Sequence, residues 1–360
     1  MRPKLELSRT ALISNLKNYR RKTSSLFICP MVKANAYGVG DSLVVRELLN
    51  ANVTDFGVAR AFEGLKLRRD FPQDNFEVLV FAPLTETSIS DYVQSRLTAV
   101  VGSKSDLSVL EGLDEHSRRA LKKIHLNFDL GMSRLGFSFS EALFVKEFIK
   151  KTELEVGGVC GHFSEADLFS APDSQAEGSL KELIEVARLF DVKPERVHAP
   201  NTEALNFKNF EVGVRPGIGL YGLKTDHSFE SALSLTAPLV QTRVLEVGDK
   251  VSYGGLWTTK VKTQIGVFAI GYADGLNRGL SGEIYFSRKK NDKKAYPQVG
   301  AICMDYTMVD LGLDVSFELG EEFTLFDGVS GIKSWCDIIN CIPYEILTGL
   351  GERVERVIIE

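Results

Sequence analysis

The chain has 360 residues, of which 44% are apolar and 25% are charged, and its formal net charge is −5. This length predicts two domains rather than one, and the composition is typical of an ordinary soluble protein. Because the basic residues are spread along an overall acidic chain, nucleic acid and anionic membranes are not expected as partners. No signal core opens the sequence and no run reaches the ~18 apolar residues of a membrane span, so a cytoplasmic location is expected.

The cysteines also indicate a cytoplasmic location. The five cysteines are scattered, none forms a C-x-x-C pair, and the odd number suits a reducing compartment. The five histidines do not cluster near them, so no metal site is predicted. We expect most of the cysteines to be small buried hydrophobic residues: Cys29, Cys160, Cys303, Cys336 and Cys341.

Eight short apolar or β-branched runs recur through the first two thirds of the chain, with charged amphipathic segments between them. Alternation of eight strands with helices over about 220 residues predicts a (β/α)8 TIM-type barrel. The runs are SLFICPMVK (25–33), DFGVA (55–59), EVLVFAP (77–83), LTAVVG (97–102), IHLNFD (124–129), VGGVCGHF (156–163), RVHA (196–199) and VGVR (212–215).

After about residue 230, strand-like runs joined by turns replace this pattern, and helical periodicity is nearly absent until the end. The predicted fold class is therefore α/β, with a barrel over residues 8–230 and a C-terminal mainly-β domain over 231–360 that includes residues 1–7. The basic run Arg288-Lys289-Lys290, within SRKKNDKKAYP, predicts a solvated charged loop.

Candidate site residues fall where the barrel strands end. Lys33 ends the first strand, at the edge from which barrel enzymes build their sites, and partial desolvation there would lower its pKa and make it a nucleophile. The turn Arg215–Gly219 follows the eighth strand, where a barrel commonly binds phosphate, and its glycines allow close approach to an anion. Four further polar residues share this rim: Asn201 and Thr202 as side-chain donors, and His162 and His198.

Eight motifs follow one another along the chain: VKANAYGVG, DLGMSRLGF, GHFSEAD, VRPGIGLYG, VSYGG, IGYADG, ICMDY and IPYEILTGLGERVER. In this order they resemble the alanine racemase family over nearly the whole chain. The resemblance implies a pyridoxal-phosphate (PLP) barrel with a C-terminal β domain, and a head-to-tail homodimer whose sites combine both chains. It also implies an isomerase that interconverts L- and D-alanine for peptidoglycan.

The resemblance also implies roles for individual residues. Lys33 carries PLP and is one base, while Tyr253 of the partner subunit is the other. Arg134 lowers the pKa of that tyrosine and helps to bind the substrate carboxylate. Arg215 faces the pyridine nitrogen and, because arginine keeps its proton, makes PLP a weaker electron sink, which favours racemisation over transamination.

Further implied contacts surround these residues. Tyr37, Thr202, Gly217 and Ile218 bind the phosphate, His162 lies against the cofactor ring, and His198 supports Arg215. Met304 offers its backbone N–H to the substrate, and Tyr272 narrows the entrance. Asp305 is structural or supports the site, and we leave both readings open.

Three positions depart from the family pattern. Asn127 stands where many members carry a carbamylated lysine, whose negative charge positions the arginine that matches Arg134. Asn127 is neutral, so we hypothesise that a bound chloride or an amide contact from Asn127 positions Arg134 instead. Ala301 replaces an arginine on the entrance corridor, and Glu352 lies near a phosphate-contacting tyrosine. Ala301 and Glu352 leave strict specificity for alanine open, so one alternative is a broad-specificity racemase acting on serine, lysine or arginine. Three further alternatives are a PLP decarboxylase, a non-catalytic PLP-binding protein, and a carbohydrate- or peptide-binding module.

Overall fold

The computed structural model describes residues 1–25, 27–152, 154–164, 175–204, 211–223, 228–289, 294–313 and 316–360. Leu26 of the first predicted strand, Lys290 and residues 165–167 of GHFSEAD lie outside this part of the chain. The helices are α1 Arg9–Arg21, α2 Lys33–Tyr37, α3 Asp41–Asn50, α4 Ala61–Asp70, α5 Ile89–Ser95, α6 Lys104–Glu111, α7 Glu115–Leu121, α8 Ala142–Thr152, α9 Gln175–Leu189, α10 Gly328–Ile339 and α11 Pro343–Thr348. The strands are β1 Lys4–Ser8, β2 Asp55–Val58, β3 Glu77–Val80, β4 Thr98–Val101, β5 Lys123–Asn127, β6 Glu155–Cys160, β7 Val197–His198, β8 Leu233–Leu245, β9 Lys250–Val251, β10 Trp257–Thr258, β11 Thr263–Phe268, β12 Tyr285–Arg288, β13 Ala295–Pro297, β14 Thr307–Asp310, β15 Glu322–Asp327 and β16 Glu355–Ile359.

Six parallel strands, β2 to β7, lie side by side in chain order. Two irregular segments, residues 27–32 and residues 213–214, close these strands into the predicted barrel. The first segment bridges to Gly57 on one side and to Val214 of the second segment on the other. The second segment bridges through Gly213 to His198 on β7. Backbone hydrogen bonds from Cys29 N–H to Val214 O (2.9 Å) and from Val32 N–H to Gly57 O (2.8 Å) hold this seam. The fold class predicted from the sequence is confirmed.

The second sheet is mainly antiparallel and has eight strands, six of them in the order β13-β12-β15-β8-β1-β16, with β11 and β14 extending from β8. Strand β1 pairs antiparallel with β8 and parallel with β16, so residues 4–8 belong to this sheet although they precede the barrel. Phe268 packs against Phe286 and Phe323 in the interior of this sheet, with ring centroids 4.9 and 4.8 Å apart. The division of the chain between residues 230 and 231 stays a prediction.

The basic run near residue 288 corrects one prediction from the sequence. Arg288 ends strand β12 instead of lying in a loop, and its guanidinium binds Glu321 at 2.6 Å. Lys289 pairs with the buried carboxylate of Glu6 and with Glu322 at 3.4 Å. The acidic partners on β1, on β15 and immediately before β15 draw these cations onto the sheet, and the sequence pattern alone did not reveal those partners.

None of the helices in the described part of the chain combines the length and the apolar character that a membrane crossing demands. Within the same residues, His, Cys, Asp and Glu side chains form no group of three or more that could hold a metal ion.

Candidate active site

Lys33 stands at the start of a left-handed turn. The four residues that follow it have φ between 51° and 60°, a conformation that L-amino acids rarely adopt in succession. The buried carboxylate of Glu63 fixes the beginning of this turn, because it accepts the N–H of Ala34 (2.6 Å) and also those of Ala59 and Arg60 (2.8 Å each). The loop after β2 and the turn that carries Lys33 are thus tied to one side chain.

The surroundings of Lys33 are cationic. Burial lowers the pKa of its amine, Arg134 and Arg215 lower that pKa further, and Glu63 raises it. His162 belongs to the same cluster: burial, with help from Arg215, Arg134 and Lys33, lowers its pKa to about 3. An amine that loses its proton easily therefore lies in a region that favours a negatively charged ligand.

Arg215 is almost completely buried below this cluster. Its guanidinium donates to the backbone carbonyl of Gly161 at 2.6 Å, lies 2.7 Å from Nδ1 of His198, and also donates to the His198 carbonyl. Burial lowers the pKa of Arg215 from its ordinary value. No hydrogen bond joins Arg215 to the His162 side chain among the described residues, and Arg215 contacts this segment at the backbone carbonyl of Gly161.

The turn after Arg215 has the features of an anion cradle. Thr202 Oγ1 accepts the N–H groups of Gly217 (3.1 Å) and Gly219 (3.3 Å), while the N–H of Ile218 has no acceptor in the described part of the chain. The hydroxyl of Tyr37 lies against Gly217, where an added Cβ would stand 2.4 Å from it, so only glycine fits. Asn201 instead uses its side-chain oxygen to accept the N–H of Ala204 at 3.1 Å.

Two residues of this rim were not assigned from the sequence. Glu63 sits in a helical segment without any motif that marks its role. Tyr344 was quoted within IPYEILTGLGERVER but given no role, and its ring lies 5.6 Å from that of Tyr37. Burial raises the pKa of Tyr344 to about 12, so its hydroxyl keeps its proton near neutral pH.

A second group of predicted residues lies on the β domain and is exposed: Tyr253 by 70%, Tyr272 by 43% and Met304 by 51%. Tyr253 and Tyr272 line one cavity of about 790 Å³. Tyr272 donates its N–H to Cys303 O at 3.0 Å, which places it beside Met304. No hydrogen bond, ion pair or ring contact joins Tyr253 to Lys33 within the described chain.

The three departures from the family pattern are also defined by their contacts. The Asn127 side-chain oxygen lies 3.6 Å from the Cys160 sulfur, and no described residue offers a hydrogen bond or ion pair to the exposed Arg134. Ala301 is 2% exposed. Glu352 is exposed, so its carboxylate is turned towards solvent.

Asp305 is held in an ion pair on the β domain. Its carboxylate binds Arg353 at 2.8 Å, and Arg353 also binds the buried Asp274 at 2.8 Å. Of the two readings left open for Asp305, this ion pair favours the structural one.

Comparison with known proteins assigns this chain to a family. The model described as "Alanine racemase, N-terminal domain" matches residues 7–225, and "Alanine racemase, C-terminal domain" matches residues 232–358. The chain belongs to the alanine racemase family. It is accordingly an isomerase with alanine racemase activity, as the sequence motifs predicted.

Individual relatives cover almost the entire chain. The alanine racemase of Coprothermobacter proteolyticus is 32% identical, with 98% of both chains covered, and that of Treponema pallidum is 32% identical, with 92% of this chain and 93% of the relative covered. The structure of the Streptomyces coelicolor alanine racemase superposes with a TM-score of 0.86 at 28% identity, over 100% of this chain and 98% of that one. The Bartonella henselae alanine racemase, described with covalently bound pyridoxal phosphate, superposes with a TM-score of 0.81 at 25% identity over 100% of both chains.

Proposed function

We propose that this isomerase racemises alanine with PLP held by Lys33. The observation that carries the proposal is a half-buried amine of lowered pKa within a cationic cluster, close to a glycine turn in which the N–H of Ile218 has no acceptor among the described residues. These donors suit a dianionic phosphate, and the Bartonella henselae relative is described with PLP covalently bound. Tyr37, Thr202, Gly217, Ile218 and Asn201 would hold the phosphate, and His162 would lie against the ring.

Bound PLP supplies an electron sink that makes the α-proton of the amino acid more acidic. Racemisation then needs one base on each face of the α-carbon. Lys33 Nζ would take or return the proton on one face. Tyr253 of the partner subunit would do the same at its hydroxyl oxygen on the other, which agrees with its exposure and with its lack of contact to Lys33 in one chain.

The remaining polar groups would orient the substrate and set its electronics. Arg134 would bind the substrate carboxylate together with the Met304 N–H and would place a positive charge beside the Tyr253 hydroxyl. Tyr272 would limit substrate size at the entrance. Arg215 would donate to the pyridine nitrogen, and its buried guanidinium would not release a proton to it.

A chloride near Asn127 and Arg134 is part of the proposal. Arg134 has no anionic partner among the described residues, and Asn127 is neutral and cannot be carbamylated. A halide between them would position the guanidinium. Anomalous scattering from bromide-soaked crystals, and the dependence of the racemisation rate on chloride, test this idea. We expect no dependence on bicarbonate.

Wider expectations follow from family likeness alone. The protein would act as a homodimer with shared sites, work in the cytoplasm, and supply D-alanine to peptidoglycan. The domain division at residues 230 and 231 is proposed on the same ground. Complementation of a D-alanine auxotroph tests the cellular role, and the oligomeric state in solution tests the dimer.

The decisive experiment compares Lys33→Ala with Lys17→Ala, a substitution of an exposed lysine on α1. After incubation with PLP, the wild type and Lys17→Ala should show the visible absorbance band of lysine-bound cofactor and should racemise alanine. Lys33→Ala should lack both. A band of unchanged strength in Lys33→Ala would contradict attachment at this residue. Serine, lysine and arginine in the same assay would separate strict from broad specificity.

A further inference from the structure

Two buried histidines lead away from Arg215 through the interior of the barrel. His198 Nδ1 lies 2.7 Å from Arg215 Nη1, and His198 Nε2 lies 2.7 Å from Nδ1 of His125 on β5. Both imidazoles have no exposed surface, and the ring of Phe27 packs 4.8 Å from that of His198. The chain of contacts therefore runs from the active-site floor into the barrel core.

The positions of the protons in this chain follow from Arg215. A guanidinium has only donors, so His198 Nδ1 must accept and must carry no hydrogen. A neutral imidazole then carries its hydrogen on Nε2 and donates it to Nδ1 of His125. That nitrogen accepts in turn, which leaves the hydrogen of His125 on its own Nε2.

Both rings must be neutral for this arrangement, and their burial agrees with that. Desolvation lowers the pKa of His125 to about 3, although Glu77 raises it, and desolvation together with Arg215 lowers that of His198 well below its ordinary value. A second proton on either ring would place two donors face to face. Each hydrogen bond in the chain thus points away from Arg215.

The barrel is shaped to hold the far histidine. The register between β5 and β6 shifts at His125, where the pair Gly157-Gly158 faces the ring. A Cβ on Gly158 would stand 2.5 Å from the imidazole, and one on Gly157 would stand 3.3 Å from Nε2. His125 Nε2 is buried and has no hydrogen-bond partner among the described residues, so His125 makes its one polar contact at Nδ1, with His198.

We infer that His125 is a positioning residue for the racemase reaction: it accepts the Nε2–H of His198 and so holds that imidazole with Nδ1 turned towards Arg215, in the tautomer that Arg215 requires. The inference rests on the proposed role of Arg215 at the pyridine nitrogen. Without the acceptor on His125, the Nε2–H of His198 is left unpaired in the barrel core, and the imidazole is free to turn away from the guanidinium.

The first test uses the wild-type protein, and variants are needed only to assign the NMR signals to individual histidines. Histidine-selective ¹⁵N labelling of the full-length protein, with and without PLP, reports which nitrogen of each ring carries the hydrogen. His125 and His198 should both be neutral with the hydrogen on Nε2 near neutral pH. A hydrogen on Nδ1 of His198, or a doubly protonated ring, overturns the inference.

The second test compares His125→Leu, which has no acceptor, with His125→Asn, whose side-chain oxygen stands close to the position of Nδ1. Loss of one buried hydrogen-bond partner should lower kcat for alanine about tenfold in His125→Leu, with KM little changed, and His125→Asn should recover most of it. The ratio of transamination to racemisation should rise in His125→Leu. Wild-type kcat and an unchanged ratio in a folded His125→Leu protein overturn the inference. A wild-type protein that neither binds PLP nor racemises alanine refutes the proposed function instead, and the tautomer measurement then decides whether His125 holds His198.

Discussion

The amine of Lys33 lies between two arginines that lower its pKa and the carboxylate of Glu63, which raises it. The same carboxylate accepts three backbone N–H groups around the turn. Glu63 therefore has two separable effects at the residue scale, one on the shape of the turn and one on the charge of the lysine. Both effects can be measured on one conservative substitution.

Glu63→Gln should lower the free energy of unfolding by about 1–3 kcal/mol, because its NH2 group would face backbone donors that the carboxylate now satisfies. Loss of the negative charge should also lower the pKa of Lys33 further, which shifts the pH dependence of cofactor binding to lower pH. Urea unfolding and the rate of PLP binding against pH measure the two effects. Glu111→Gln, an exposed substitution on α6, is the control and should change neither.

Buried neutral histidines make stability depend on pH. His125 and His162 have their pKa lowered to about 3 in the folded protein, against about 6.5 for an unfolded histidine. As the pH falls below about 6.5 the unfolded chain binds protons that the native state does not, so the free energy of unfolding decreases until the pH approaches the folded pKa.

This loss of stability can be assigned to a residue. His125→Asn should make the fall in unfolding free energy between about pH 6.5 and pH 5 less steep, by up to about 1.4 kcal/mol per pH unit. His116→Asn removes an exposed histidine and should leave the slope as it is. Urea unfolding at several pH values gives both slopes. Equal slopes in His125→Asn and the wild type would show that the buried ring does not titrate as described.

At the scale of elements, the left-handed turn α2 is held from the side by the β domain. Gly38 ends the turn with φ +84°, and a Cβ there would lie 2.1 Å from the carbonyl oxygen of Leu347 in α11. Arg356 on β16 donates to Gly38 O at 3.0 Å. The conformation beside Lys33 thus depends on residues more than three hundred positions later in the chain.

Two glycines separate backbone strain from this close contact. Gly282 has nearly the same φ, +82°, but nothing lies within 4 Å of its added Cβ. Gly282→Ala should cost about 1–2 kcal/mol of unfolding free energy, the strain of the left-handed backbone. Gly38→Ala should cost about 1–3 kcal/mol more from overpacking and should also reduce racemase activity. An equal loss of unfolding free energy in the two variants would mean that α11 shifts to accept the added methyl group without cost.

Much of this arrangement could be predicted from the sequence. The contacts that could not be predicted depend on side chains that meet across the fold, which local sequence patterns do not encode. Lys33 and the Arg215–Gly219 turn follow apolar strands, so their place on one barrel rim follows from strand order. His125 lies on a barrel strand with no motif of its own. Its contact with His198 depends on which inward side chains meet across the barrel, and on the bulge at Gly157, which local patterns do not encode. The partners of Arg288 escaped prediction for the same reason.

At the scale of the whole molecule, no contact joins Lys33 to Tyr253 among the described residues of one chain, and the proposed homodimer makes site sharing testable. Mixed dimers of Lys33→Ala and Tyr253→Phe subunits contain one site with both residues intact. Random mixing makes half of the dimers heterodimers, so about one quarter of the wild-type activity should return. Racemisation after co-refolding measures it. Lys33→Ala mixed with Arg215→Ala is the control, since two barrel substitutions cannot restore a site, and no recovery in the first pair would contradict sharing.

The pairing of β1 with β16 also has a consequence for synthesis on the ribosome. Lys4 and Glu355 are register partners in this sheet. At about 5–20 residues per second, roughly 20–70 s separate the translation of these two residues. Leu5 and Leu7, which are buried in the finished sheet, have neither neighbour beside them until β8 has been translated as far as Leu245, and they lack β16 for the whole interval. The nascent chain therefore carries an apolar strand without its sheet partners while the whole barrel is being made, and this strand can pair only after β8 has been translated.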